Sequence, residues 1–490
     1  MQTSYEIESK GHVGVIIVLM LFVAGFSLLF LSQQSLRLDE AQSLWQVSNS
    51  IPRMINIIAQ DVHVPFYHVL LHLWLFYLGD TVFMARMFSL IFAVLTVPLV
   101  YVLGRKAFNP TTALFATILT AISPFLIWYG NEVRMYSLLT FLTVINQIFF
   151  VNIFKTGRVS SWVGYAVTAV LALFTHYYFG LLLISQLLFF LYFRHSFPYK
   201  SGRRFLMVYG LILAIFTPWL YYVYTISTTN YSQPLLTKPT VINLFITFSQ
   251  FVFGFQTESF NRLAIALWPL AVLFGFLALS RRQKYTFEGT YFFYVTVVPV
   301  VIAFIASLLI RPLYLTRYLI LIIPTLYLFM GWLFSSYPLR LERMLKGTIV
   351  AIMMLTLVHQ SISASTPVKE NFREAADYLS EKAEPQDLIL VSAPFTIYPI
   401  EYYYEGPARI TTMPEWDRFV VGPIPAFSED YMAGKVETYK ATHQRIWVLL
   451  SYDQGYEEQI RLYFDKNFER LDQKNFSTGL NLYAYKLRYN

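Results

Sequence analysis

Long apolar runs separated by short polar segments organise most of this chain. Runs near the roughly 20 residues that carry a helix across a bilayer fall at 12–31, 82–104, 110–128, 135–154, 162–175, 177–193, 205–226, 261–279, 290–310, 318–335 and 347–364. They predict about eleven membrane-spanning helices. The first, HVGVIIVLMLFVAGFSLLFL, reads as an uncleaved anchor because it is long and has no small-residue cleavage site. The pair meeting at Thr175–His176 is short for two spans.

Between the first two spans lies a patterned segment, residues 36–81. Ile51, Met54, Ile55, Ile58 and Ala59 recur at helical spacing and form one apolar stripe, with Pro52 suited to the first turn. Just before it, Asp39 to Ser48 sets Ala41, Leu44, Trp45 and Ser48 on one side. Both stretches predict helices lying flat at the membrane surface. Residues 66–78, FYHVLLHLWLFYL, are apolar but too short to cross, which predicts a segment that dips and returns. A second loop, 227–260, holds a similar stretch from Val241 to Phe255.

After Ser365 the pattern changes. FREAADYLSEKA and YEEQIRLYFDKNF have helical spacing, whereas DLILVSAP, RIWVLLS and LNLYAYKL read as strands. The fold expected is thus an α-helical polytopic membrane domain, residues 1–366, followed by a soluble α/β domain, residues 367–490.

Composition sharpens this division. Charged residues are 13% of the chain and mean hydropathy is +0.49, against roughly 25% charged in soluble domains. The tail holds nineteen of the 29 acidic residues. With the N-terminus placed inside, the inner loops carry fourteen Lys and Arg and the outer loops seven, which satisfies the positive-inside rule. The net charge of +8 is therefore largely a topology signal, and a nucleic-acid partner is not needed to explain it. An odd number of spans puts the tail outside. The localisation expected is multi-pass in the cell's inner or plasma membrane, with an extracytoplasmic C-terminal domain. There is no cysteine, which excludes disulfides, thiolate zinc sites and a cysteine nucleophile.

Candidate chemistry gathers on the outer side. Six of the ten carboxylates before residue 367 fall there: Asp39, Glu40, Asp61, Asp80, Glu132 and Glu258. Asp39–Glu40 could supply a general base or a metal ligand; acidic residues also start helices, and spacing does not choose. Asp61-Val-His63-Val-Pro65-Phe-Tyr67-His68 groups a carboxylate, two imidazoles and a phenol, suited either to a divalent metal ion or to a solvated turn before a helix. Asn131-Glu132-Val133-Arg134-Met135-Tyr136 and Arg311-Pro-Leu-Tyr314-Leu-Thr-Arg317-Tyr318 place arginines at span ends. Paired guanidinium N–H groups match a phosphate, although each arginine alone also serves as a boundary marker. His176-Tyr177-Tyr178 occupies a very short outer turn. Together these groups suit a lipid-linked phosphate. A sugar leaving as lipid phosphate has a weakly basic leaving group, so fixed positive charge and a proton-accepting carboxylate matter more than a strong acid.

These stretches, with GNEVRMYSLL, LTRYLILIIP and NFREAADYL, resemble the GT-C superfamily near its protein O-mannosyltransferase and aminoarabinose transferase branch. The resemblance implies a multi-span bundle with interfacial helices, a polyprenyl-phosphate sugar donor, and transfer with inversion to a lipid, glycan or protein acceptor. By position, Asp39 resembles the catalytic acidic residue, with Glu40 beside it. Arg134 and Arg317 resemble basic residues near the lipid phosphate, and Arg311, His63, Tyr67 and His176 join them as donor-binding candidates. His63-Val64-Pro65 departs from a more usual His-Pro-Pro. Members differ in metal use, so Asp61 and His63 are candidate ligands for a divalent ion.

Two rival readings remain open. A flippase or transporter of lipid-linked sugars predicts paired halves and a midplane site; matching halves are not visible and the ionisable groups sit at span ends. A non-catalytic scaffold for envelope assembly predicts that no outer carboxylate is needed.

Overall fold

The computed structural model describes residues 2–31, 33–61, 63–198, 201–226, 237–281, 286–419, 424–451 and 454–487, with backbone only for 2–10. The expected inner-face cations Lys200, Arg282 and Lys284, and residues 227–236 of the second outer loop, lie outside these. The chain divides into two compact units. A membrane unit comprises Met1–Leu31, Asp61–Tyr224 and Leu235–Ser363. A second unit comprises Ser32–Gln60, Thr225–Pro234 and Ala364–Asn490.

In the membrane unit, seven described helices are long and apolar enough to cross a bilayer: Gly11–Leu31, Val82–Ala107, Tyr136–Thr156, Ser201–Ile226, Glu258–Ser280, Phe287–Leu309 and Thr316–Phe334. A bent pair, Pro110–Ala121 and Pro124–Gly130, meets at 54° and has the length and apolarity of a broken span or a re-entrant loop when taken together. Proline supplies the reason. Pro124 has no N–H to continue the first helix, and the Ser123 hydroxyl accepts from Leu126 N instead, at 3.2 Å, starting a new one. The expected spans 162–175 and 177–193 fall on helices of 15 and 14 residues, Val159–Leu173 and Phe179–Tyr192. The last expected span falls on Leu339–Ile362, whose first turns carry Arg340, Glu342, Arg343 and Lys346. Length and composition therefore support seven or eight crossings directly, and the remaining apolar helices are shorter or partly charged.

The bundle packs as membrane helices do, through small residues and internal polar pairs. A Cβ on Gly104 would lie 2.8 Å from Ala113 Cα and 2.5 Å from Leu328 Cδ2, so only glycine allows that crossing. The Tyr165 hydroxyl donates to Gln186 Oε1 at 2.8 Å, and Gln186 Nε2 donates to Asn146 Oδ1 at 3.2 Å. Asn146 Nδ2 in turn donates to Tyr165 O at 3.1 Å. Outward faces are apolar: Leu263, Leu267, Leu270, Phe274 and Phe276 are all exposed along Glu258–Ser280.

The second unit centres on a five-stranded sheet, β1 (Asp387–Ser392), β2 (Arg409–Thr412), β3 (Arg445–Leu450), β4 (Glu469–Ser477) and β5 (Leu480–Lys486), in the order β2-β1-β3-β5-β4. β1 runs parallel to β2 and β3, whereas β5 is antiparallel to β3 and β4. All six residues of β1 are buried, as an apolar run covered on both faces requires. Helices Glu429–Thr442 and Glu457–Asn467 bring Met432, Val436, Ile460 and Phe464 onto Leu388, Leu390, Ile446 and Val448. Gly479, at φ 82°, turns the β4–β5 hairpin. The same unit holds the two predicted loop helices, Leu38–Val47 and Ile51–Ala59.

One buried carboxylate staples the start of this sheet. Asp387 Oδ2 accepts from Arg445 Nε at 2.9 Å, Arg445 Nη2 at 2.6 Å, Trp447 Nε1 at 3.0 Å and Glu384 N at 2.9 Å. Asp387→Ala orphans these donors and is expected to cost about 2–3 kcal/mol. Thermal unfolding of the second unit, followed by near-ultraviolet dichroism, should shift down by roughly 10 °C; an unchanged midpoint contradicts the assignment.

Candidate active site

Four separate segments of the membrane unit meet at helix ends, and each supplies a charged or polar group. Asp61 and His63 precede the short helix Phe66–Leu78, which carries Tyr67 and His68. Arg134 lies in the tight link between Pro124–Gly130 and Tyr136–Thr156. His176, Tyr177 and Tyr178 form the turn between Val159–Leu173 and Phe179–Tyr192. Arg317 and Tyr318 open a 3-10 turn, Thr316–Ile322.

Arg134 joins the first two segments. Its Nη2 donates to His63 Nε2 at 2.8 Å, and both residues are buried. An arginine only donates, so His63 Nε2 is the bare nitrogen and the ring proton sits on Nδ1. Asp61 Oδ2 lies 3.9 Å from the same nitrogen. The link is fixed through its backbone: Arg134 N donates to Glu132 O at 2.8 Å, and Ser89 Oγ donates to Arg134 O at 3.3 Å. Ser89 also lies 3.2 Å from the Tyr67 hydroxyl, and the His68 ring stacks on that of His63 at 5.9 Å.

The His176 turn closes on the same group. The Tyr177 hydroxyl donates to His63 O at 3.3 Å and accepts from Trp219 Nε1 at 3.0 Å. Phe66 N donates to Phe174 O at 3.0 Å. The His176 ring packs 5.0 Å from Tyr318, 5.4 Å from Tyr178 and 6.3 Å from Tyr136. Its Nδ1 accepts from Tyr178 N at 3.1 Å, which leaves Nε2 to carry the proton and donate. Burial, then His63, Arg134 and Arg317, push its pKa down to about 3, so the ring is neutral at physiological pH. Arg317 stacks over Tyr318 at 5.7 Å, and the neighbouring Tyr314 and Thr316 are tied to Thr247 by hydroxyl contacts of 2.9 Å. Arg311 is exposed, close enough to Tyr178 to act on its phenol.

Thus His63, Tyr67, Arg134, His176 and Arg317 form one cluster with Asp61 at its margin. Sequence reasoning did not single out Ser89, Trp219 or Thr247. Each sits inside an apolar helix, where a lone hydroxyl or indole carries no chemical signal until the fold gives it a partner.

Asp39 and Glu40 belong to the second unit. They occupy the first turn of Leu38–Val47. Glu40 is buried and its Oε2 accepts from Arg37 N at 2.9 Å, capping the helix that carries it. Asp39 is half-buried. The adjacent carboxylates therefore differ in setting, as the 100° step between neighbouring helical residues allows.

Asp61 and His63 are a poor metal site. Arg134 occupies the nitrogen lone pair a metal would need, and its charge repels a cation. Among the described residues no three His, Asp or Glu side chains converge.

The fold is shared with solved structures of ArnT and of an archaeal oligosaccharyltransferase. Residues 62–222, which contribute His63, Tyr67, Arg134 and His176, match the family described as dolichyl-phosphate-mannose-protein mannosyltransferase. Crystal structures of ArnT from Cupriavidus metallidurans superpose over 97% of this chain and 98% of theirs at 13% identity. The TM-score is 0.63 for the apo state and 0.62 for the form bound to undecaprenyl phosphate. The apo oligosaccharyltransferase of Archaeoglobus fulgidus covers 89% of this chain with 69% of its own, at TM-score 0.56 and 13% identity. No curated protein sequence matches the chain.

The His176 setting makes a pH prediction. Its folded pKa, about 3, lies below the ordinary 6.5, so the unfolded chain binds the proton more readily. The stabilising effect is full above pH 6.5 and declines as pH falls towards 3. Ring nitrogen NMR of ¹⁵N-histidine protein should show His176 neutral and Nε2-protonated from roughly pH 5 to 8. A titration midpoint near 6.5 would contradict this placement.

Proposed function

We propose that this protein is a glycosyltransferase that moves a sugar from a polyprenyl-phosphate carrier to an acceptor at the extracytoplasmic face of the membrane. The observation that carries the reading is the buried Arg134 guanidinium seated on His63, with His176 and Arg317 beside it. Fixed cations and neutral imidazole donors of this kind suit a phosphate monoester leaving group in a low-dielectric setting. The ArnT structure that contains undecaprenyl phosphate has the same fold, which favours a polyprenyl carrier here.

In the proposed reaction the bond between the anomeric carbon and the phosphate oxygen breaks, and the electron pair leaves with the lipid phosphate. Arg134 and Arg317 stabilise the charge that develops there. The acceptor oxygen or nitrogen attacks from the opposite face, which inverts the anomeric centre, and its proton passes to Asp39. Glu40 contributes by capping and ordering the Asp39 helix. A positioned base is worth about 10²–10⁴-fold and one charge-stabilising donor about 10²–10³-fold. The excess of Lys and Arg in the opposite loops supports an outward-facing site and an extracytoplasmic second unit.

The test is incubation of the purified protein with a panel of polyprenyl-phosphate sugars and acceptors, with release of lipid phosphate read by mass spectrometry. Wild type should release it from at least one donor, and Asp39→Asn should fall about 10²-fold or more in kcat with its fold intact. Full turnover by Asp39→Asn removes the carboxylate's role, and no release from any donor removes the transferase reading.

A further inference from the structure

Within the second unit, the helix Leu38–Val47 is short and weakly self-supporting. Isolated helices below about 12–15 residues are marginal in water, and this one has ten. Its order must come from what it packs on, and that is the tail's own α/β fold.

Contacts pin both of its ends. Near the start, Leu36 N donates to the Tyr403 hydroxyl at 2.9 Å, Arg373 N donates to Ser35 Oγ at 3.1 Å, and Arg37 Nε lies 3.8 Å from Glu370. Near the finish, Trp45 packs on Tyr398 at 5.2 Å and on Phe419 at 5.7 Å. The Arg418 guanidinium sits in the middle of these rings, 5.1 Å from Trp45, 5.2 Å from Tyr398 and 5.3 Å from Phe419. Glu401, on the helix Ile397–Tyr403, is its ionic partner.

This use of an arginine is unusual. Its Nε and Nη1 are buried with no hydrogen-bond partner among the described residues. Burying a charge in that way is costly unless the ring faces compensate. Trp45 lies on the loop helix, whereas Tyr398 and Glu401 lie on the tail. One cation thus bonds two segments more than 350 residues apart in sequence.

We propose that Arg418 is a positioning residue: wedged between Trp45 and Tyr398, it clamps the helix that carries Asp39 onto the α/β tail and so sets where that carboxylate stands. The proposal rests on the transferase reading of Asp39. It gives the tail a mechanical task, the ordering of a catalytic helix that cannot order itself.

The experiment uses the full chain in lipid nanodiscs and compares wild type, Arg418→Leu, Arg418→Lys and Tyr403→Phe. Amide hydrogen exchange is read at residues 41–47 and, as an internal reference, on β1 and β3. In Arg418→Leu, exchange at 41–47 should rise about tenfold or more while the strands keep their protection. The kcat for lipid-phosphate release should fall by a similar factor with KM for the donor within about twofold. Arg418→Lys keeps a cation over the rings and should recover part of both. Tyr403→Phe should loosen the start of the helix. The clamp is overturned by unchanged exchange at 41–47 in Arg418→Leu, by equal loosening of the strands, or by an unchanged kcat despite the looser helix. If wild type turns over no donor, the transferase reading falls, and exchange alone still decides the clamp.

Discussion

The hydrogen bond from Arg134 to His63 is the constraint on which the membrane site depends. A guanidinium keeps its charge at any accessible pH, so it cannot escape burial by deprotonating. It must be held by groups that accept from it and tolerate it. His63 accepts, which forces one tautomer on that ring. Burial, followed by His63, Arg134 and Arg317, keeps the nearby His176 neutral. The Tyr177 hydroxyl, Ser89 and the Phe66–Phe174 backbone bond then lock the segments that carry these rings. Arg134 fixes the His63 proton and the Tyr178 backbone fixes that of His176, so the proton positions are set by the fold itself.

The second unit meets a different demand. In the proposed reaction Asp39 accepts a proton, which needs a defined place but no deep burial. Asp39 stays half-buried, whereas Glu40 is consumed in capping and Trp45 in packing. The helix follows the sheet's order through Tyr403 and Arg418, and the sheet is anchored by Asp387 beneath Arg445 and Trp447.

Much of this was legible in the sequence because it is written in apolar periodicity. The loop helices at Leu38–Val47 and Ile51–Ala59, the short helix Phe66–Leu78 and strands β1, β3 and β5 all coincide with expected runs. β4 escaped notice because ERLDQKNFS is a polar edge strand with no buried run, and β2 because it is four residues long. The break at Ser123–Pro124 lay inside a run that hydropathy alone reads as continuous. Residue types flagged Asp61, His63, Arg134, His176 and Arg317. Only coordinates reveal that Arg134 occupies the His63 lone pair, which turns a candidate metal site into a hydrogen-bonded one. The grouping of residues 32–60 with the tail was equally invisible, since Trp45 and Arg418 meet through the fold and not through any local pattern.

The most direct measurement compares the affinity of the purified protein for a polyprenyl monophosphate with that for the matching polyprenol, in wild type and in Arg134→Met. A site built around a buried guanidinium should hold the phosphate-bearing lipid about tenfold or more tighter than the alcohol, and Arg134→Met should erase that preference while leaving binding of the alcohol unchanged. Equal affinity for the two lipids in wild type, or an undiminished preference in Arg134→Met, would contradict the account.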